Sequence, residues 1–183
     1  MAQSSLAATP PIQQVRTVLD LLETPALARI YAYTLRRRSV TVPELVDALD
    51  VPQGTAYEYV RRLESADLLS TERSSRPHEY EAEPLSVTLS SGDETRTITP
   101  ELVEAVARRT DDEDIDLYVD RHGIDGLASA LEYARQRVEG STTHRIAARE
   151  LDVPPVEAEI ILQALEPVVR ESPSEESEPS ADE

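Results

Sequence analysis

Residues Glu44 to Tyr80 read ELVDALDVPQGTAYEYVRRLESADLLSTERSSRPHEY, and the breaks in this stretch decide the fold. A short helix over Pro43 to Leu49 is interrupted at Asp50-Val51-Pro52, because proline lacks an amide to donate and pushes the residue before it out of helical geometry. A second helix is expected from Gln53 to about Ala66, after which Leu68-Leu69 leads into a hairpin. On that second helix Ala56, Val60 and Leu63 form an inward stripe. At about 100° per residue the opposite side carries Gly54, Glu58 and Arg61, flanked by Thr55, Tyr57 and Arg62. A helix with such an outer side, held by a preceding helix and a tight turn, is a unit that enters a DNA major groove.

The flanking segments extend the same pattern. Ile12 to Leu22 reads as a helix with Ile12, Val15, Val18, Leu19 and Leu22 inward and Pro11 at its first turn. Thr24-Pro25 opens another helix, Ala26 to about Arg37, with Leu27, Ile30, Tyr31 and Leu35 inward. Arg36, Arg37 and Arg38 suit the negative end of that helix, and the same position is compatible with phosphate contacts. Val40-Thr41-Val42 is a short β-branched run, and Leu68 to Glu72 with His78 to Ala82 suit the two strands of a hairpin. Its turn, Arg73-Ser74-Ser75-Arg76-Pro77, puts Arg73 and Arg76 at the tip, where they meet a phosphate or the minor groove or remain solvated.

The stretch Pro52 to Leu69 (PQGTAYEYVRRLESADLL) resembles the winged helix-turn-helix of ArsR-type and TrmB-type transcription regulators, whose reading helix often has the form S-x-S-T-V-S-R-H-L-R-R-L-E-x-x-G-L-V. The likeness covers roughly residues 25 to 82. It implies a double-stranded-DNA-binding regulator in which Gln53, Thr55, Tyr57 and Arg61 approach bases. Arg62 and the Arg36 to Arg38 cluster would meet phosphates, and Arg73 with Arg76 the flank. Two positions depart from the pattern: Glu58 stands where a basic residue is frequent, and Tyr57 where a small hydroxyl is usual. Glu58 is able to accept from a cytosine amino group, or it marks a shallower approach of the helix. A homodimer would place two such helices about one DNA turn apart. Winged helices also serve as protein-binding adaptors, which is the competing reading.

Charge supports the separation of a reading segment from the rest. The 183 residues hold 36 acids against 18 basic residues, all arginine, for a formal net charge of −18. Residues 25 to 80 carry eight arginines and eight acids, whereas residues 81 to 183 carry nine arginines and 26 acids. Acidity, which normally argues against nucleic acid, is thus segregated away from the helix-turn-helix. Lysine, cysteine, tryptophan and phenylalanine are absent. Such an acid-rich, lysine-free chain is similar to the proteins of salt-loving archaea; an ordinary acidic protein from a GC-rich genome is the plainer alternative. No apolar run reaches the roughly 18 residues of a membrane span, and the start MAQSSLAATPP lacks a signal pattern. The expected location is therefore cytoplasmic.

After Pro84 the composition shifts. Leu85 to Leu89 and Thr95 to Ile98 flank Ser91-Gly92-Asp93-Glu94 and predict a hairpin or linker over 84–99. Thr99-Pro100 caps a helix to Arg109 with Leu102, Val103 and Val106 inward. The run Asp111 to Asp114 hints at a calcium loop, but the closing glutamate position, eleven after Asp112, is Gly123. The acids instead suit a helix N-terminus, with a helix from about Asp112 to Arg121, a stop at Gly123, and a longer helix from Ile124 to Glu139 carrying Leu127, Leu131, Ala134 and Val138 on one face. A shift of 102 positions turns Leu49-Asp50-Val51-Pro52 into Leu151-Asp152-Val153-Pro154, and Ala56, Val60 and Leu63 into Ala158, Leu162 and Leu165. This predicts a degenerate second helix-turn-helix, or else a chance recurrence of a helix break. Its outer side, Val156, Ile160 and Gln163 with Glu159 beside them, would repel phosphates and favour burial, against a second copy of the chain.

The organisation expected is a mainly α fold. Residues 1–11 form a flexible start, 12–83 the winged domain with its small β wing, 100–170 a helical acidic C-terminal domain, and 171–183 (ESPSEESEPSADE) a disordered acidic tail. His78, His122 and His144 have no partner at ligand spacing, and no nucleophile, base and orienting group assemble. No enzymatic activity, metal or cofactor is expected, and nothing in 100–170 identifies a small-molecule effector.

Overall fold

The computed structural model describes residues 12–74, 76–91 and 94–171, so the expected flexible start and all but the first residue of the acidic tail lie outside the described residues. The chain forms two compact units that divide between Thr110 and Asp111.

The first unit runs α1 (Ile12–Glu23), α2 (Pro25–Leu35), β1 (Val40–Thr41), α3 (Val42–Leu49), α4 (Gln53–Ser65), β2 (Leu69–Glu72), β3 (Glu79–Ala82), β4 (Val87–Ser91), β5 (Glu94–Ile98) and α5 (Pro100–Arg108). α3 starts with a capping box: the Thr41 hydroxyl accepts from the Glu44 amide, and the Glu44 carboxylate accepts from the Thr41 amide at 2.7 Å. The Thr41 amide and, at 2.9 Å, the Thr41 hydroxyl both donate to that carboxylate and hold it below the usual range, helped by Arg37. α3 ends at Asp50 in the left-handed conformation (φ 51°), and Pro52 lets α4 begin in a new direction. α4 stops in a Schellman turn: Asp67 takes φ 57° while Leu68 N–H reaches the Leu63 carbonyl at 3.0 Å. Ala56, Val60 and Leu63 are fully buried, as their spacing predicts. β3 is the centre of an antiparallel sheet of order β1-β3-β2, with Val40 and Thr71 on either side of Tyr80. The segment 84–99 forms the β4–β5 hairpin.

Two expectations need correction here. The apolar stripe of α1 is read with Ile12 and Leu19 inward, but they are 89% and 42% exposed; Val18 and Leu22 of that stripe are buried, joined by Thr17 and Leu21. Both faces of that helix are apolar in sequence, and its packing on α2, α4 and α5 selects the 17/18/21/22 face. Likewise Leu35 gives way to Thr34 as the buried residue at the end of α2. The second correction concerns α5, read as the start of a C-terminal domain beginning at 100. It packs along α2 and belongs to the first unit, because Leu102, Val103 and Val106 find their burial there.

Tyr31 secures the exit from the wing. Its side chain is fully buried, its hydroxyl donates to the Glu83 carbonyl at 2.6 Å, and it accepts from the Leu85 amide at 2.9 Å. Tyr31→Phe is expected to cost about 1–3 kcal/mol by leaving a buried amide unsatisfied. Burial pushes the phenol up to about 12, with the Leu85 amide acting against it and Glu83 adding to it. The folded state thus holds the proton more tightly than the unfolded chain, whose phenol titrates near 10. Stability is intact below pH 10 and falls by roughly 3 kcal/mol between pH 10 and 12. Urea titrations across that range should show the slope in wild type and a shallower one in Tyr31→Phe.

The second unit holds α6 (Glu113–Val138), α7 (His144–Glu150) and α8 (Pro155–Glu171), with α8 packed on both others. The acidic run is a helix start: the Asp112 carboxylate caps the Asp114 and Ile115 amides at 3.1 and 3.2 Å, and Glu113, Asp114 and Asp116 occupy the first turn. Helical hydrogen bonding spans 113–138, yet Gly123 breaks the backbone with φ 70°, ψ −176°, so the expected stop is a kink between two helical halves. On the second half Leu127, Leu131 and Ala134 are buried, while Val138 is exposed where the helix runs out. Only glycine adopts the Gly123 conformation readily, so Gly123→Ala should lose about 1–3 kcal/mol in a thermal melt.

The shift of 102 positions is reproduced in the backbone. Thr41 and Thr143 both cap a helix by accepting from the third residue on. Asp50 and Asp152 both turn left-handed, at φ 51° and 54°. Ala56 and Ala158 both donate to the carbonyl of the preceding proline, at 2.9 and 3.0 Å. Ala158, Leu162 and Leu165 are fully buried, like their counterparts.

Candidate nucleic-acid interface

The exposed side of α4 presents Gln53, Gly54, Tyr57, Glu58 and Arg61, with Thr55 half-buried. α3, α5, α6 and α7 each start with a side-chain cap. α4 starts at Pro52 with no side-chain cap and no acid in its first turn. Its first-turn amides form the positive end of the helix dipole, and α2 likewise starts with no side-chain cap and no acid in its first turn. At Gly54 an added Cβ would meet nothing within 4 Å, so the fold itself does not require glycine there.

The arginines divide into two kinds. Arg61, Arg38 and Arg76 are exposed and have no ion-pair partner among the described residues. Arg37 lies over the Tyr33 ring, 4.8 Å from its centroid. Arg62, next to Arg61 but half-buried, is ion-paired with Asp20 and ties α4 to α1. Arg36 is paired with Glu104 at 2.5 Å, and Glu104 also takes Arg108 at 3.2 Å. Arg73 stays largely exposed and reaches Glu64 at 3.5 Å.

The wing is attached to α4 by residues that the sequence pattern did not single out. Glu64, near the end of α4, accepts from the Thr71 hydroxyl on β2 as well as from Arg73. Behind this pair lies Tyr80 of β3. Its phenol is pushed up by burial, then by the Glu64 carboxylate and by Tyr57, while Arg61 and Arg73 act in the opposite direction. Glu64 thus links the end of α4 to β2 through Thr71 and Arg73. Ser39 donates to Glu79 at 2.9 Å at the other edge of the sheet. Of the residues predicted for the site, Gln53, Tyr57 and Arg61 are exposed on α4 with Thr55 half-buried, and Arg73 is exposed just after β2. Arg76 lies beyond it in the wing turn, Arg37 and Arg38 follow α2, and Arg36 and Arg62 are engaged by carboxylates. Asp20, Glu64 and Glu104 carried no local signal toward Arg62, Thr71 and Arg36, since those partners lie 42, 7 and 68 positions away.

No helix among the described residues is long and apolar enough to cross a membrane. Residues 24–86 match the family model of the sugar-specific transcriptional regulator TrmB, and residues 109–174 match a separate family of unknown function, DUF7437. The two matches fall one on each side of the division between the units, apart from two residues. No curated protein and no solved structure matches the chain.

Proposed function

We propose that this chain is a transcriptional regulator that binds double-stranded DNA sequence-specifically as a homodimer, in the cytoplasm of a salt-loving archaeon. One observation carries the reading. The exposed side of α4 combines an uncapped N-terminus with Arg61, which has no acidic partner among the described residues, beside a wing that bears Arg73. The match of residues 24–86 to a DNA-binding regulator family supports it. α4 enters the major groove, its first-turn amides take a backbone phosphate, and Gln53, Thr55, Tyr57 and Arg61 approach base edges. Arg37, Arg38, Arg73 and Arg76 approach phosphates along the flank. Arg36 and Arg62 act indirectly, by holding α2 on α5 and α4 on α1. In concentrated salt the counterion-release gain shrinks and the Debye length falls to about 3 Å at 1 M, so short-range contacts decide affinity.

Fluorescence anisotropy with duplexes selected from genomic fragments, at molar salt and against random competitor DNA, tests the proposal. Selective retention of one duplex supports it; equal binding of all duplexes, or none, overturns it. Gly54→Ala offers a sharper check. Alanine should raise helix stability by up to about 1 kcal/mol and leave the fold intact. It should nevertheless weaken DNA binding severalfold, because the added methyl stands between the helix start and the phosphate backbone.

A further inference from the structure

α4 carries two acids, and they differ in what holds them. Glu64 is engaged by Thr71 and Arg73. Glu58 is exposed in the middle of the outer side and takes no hydrogen bond or ion pair among the described residues. Helical spacing nevertheless offers it two cations, Arg61 three residues on and Arg62 four, and a glutamate four residues ahead of a cation is the favourable order for a pair on one helix. Arg62 instead turns to Asp20, and Arg61 has no ion-pair partner among the described residues. One turn of the exposed side thus presents a carboxylate and a guanidinium, neither of them neutralised. Gly54, a turn earlier, brings no side chain to this surface, and a Cβ built there meets nothing within 4 Å.

An unpaired carboxylate on a face that meets duplex DNA is repelled by phosphates unless a donor takes it. In the major groove the base donors are the exocyclic amino groups, cytosine N4 and adenine N6. Adenine sets its N7 acceptor beside that amino group, and a carboxylate, which only accepts, meets the N7 lone pair unfavourably. Cytosine has no second acceptor on its own groove edge. Guanine, with O6 and N7, suits the guanidinium of Arg61. Side chains three residues apart on a helix are about 5–6 Å from each other, against a rise of about 3.4 Å per base pair, so the two contacts fall on the same or successive pairs. We propose that Glu58 is a specificity-determining residue that accepts from the N4 amino group of one cytosine in the bound duplex, with Arg61 on a guanine of the same or the next pair. This rests on the DNA-binding reading above and names a base that the duplex must contain. Glu58 lowers the affinity for all other duplexes, so discrimination comes from repulsion as well as attraction.

Selection from random duplexes by the full chain at molar salt, followed by anisotropy titration of the retained ones, tests this with wild type, Glu58→Gln and Glu58→Ala. The side chain is exposed and unpartnered among the described residues, so both variants should keep the wild-type thermal midpoint. Wild type should demand cytosine at one position. Glu58→Gln should exchange it for adenine, because a carboxamide donates to N7 while it accepts from N6. Glu58→Ala should lose the preference there by roughly tenfold to a hundredfold and bind random duplex more tightly than wild type. N4-methylcytosine at that position replaces the groove-side amino hydrogen; it should weaken wild type and leave Glu58→Ala unaffected. The inference is overturned if the three proteins share one set of base preferences, if the position that changes is not a cytosine, or if the methyl group weakens wild type and Glu58→Ala equally. In each of those cases selective binding by wild type still upholds the DNA-binding reading. A wild type that retains no duplex selectively overturns that reading and this inference together.

Discussion

Arg61→Ala is expected to weaken binding to the retained duplex by roughly ten- to a hundredfold, the equivalent of about 1–3 kcal/mol for one side chain reading a base edge. The thermal midpoint should barely move, because Arg61 is exposed and has no ion-pair partner among the described residues. Its neighbour should behave in the opposite way. Arg62 holds Asp20 across the α1–α4 contact, and Arg62→Ala should lower stability by up to about 1 kcal/mol, the range of a partly exposed ion pair, with a smaller effect on base discrimination. Adjacent arginines on one helix therefore separate recognition from positioning. Anisotropy titration and urea denaturation of both variants measure the split. Equal DNA-binding losses for the two, or a large stability loss for Arg61→Ala, would sink the assignment.

Leu63→Ala should be the most damaging of the simple substitutions to stability. The side chain is fully buried on α4, and truncating a buried leucine costs about 2–5 kcal/mol through lost transfer free energy and the cavity left behind. Without that anchor α4 loses its hold on the unit, and DNA binding should disappear together with the cooperative transition at elevated temperature. Leu165→Ala makes the matched experiment 102 positions later, on the equally buried counterpart in α8. Its stability cost should be of the same order, while DNA binding by the first unit persists. Denaturation curves combined with anisotropy titration distinguish a chain with two separately folding units from one in which either truncation removes DNA binding.

How far the sequence reached is clearest from the elements that it located. The Asp50-Val51-Pro52 break marks the end of α3 and the start of α4, because left-handed turns and proline exclusions act within four residues of the chain. The same rules marked the recurrence 102 positions on and the helix start at Asp112, and they located the backbone break at Gly123 while reading it as a stop. For the candidate site, the stripe of Ala56, Val60 and Leu63 determines by subtraction that Gln53, Tyr57 and Arg61 face outward, and the structure has them exposed. α1 shows where such reasoning stops. With apolar residues on two faces, nothing local could say which face the neighbouring helices would cover.

Which arginines were left available was likewise decided in three dimensions. Arg36, Arg37 and Arg38 are alike in sequence, yet one meets Glu104, one lies on Tyr33 and one is exposed. Arg61 and Arg62 differ by 100° of helical rotation, and that turn carries one toward Asp20 and the other away. The amino-acid order by itself determined the helix-turn-helix and the outward side of α4, since each depends on bonds and periodicity within a turn or two of backbone. Only the tertiary structure decided the assignment of α5 to the first unit and the charges already spent on internal pairs. Those depend on groups brought together across 42 and 68 positions by the path of the chain, over which no local spacing rule extends.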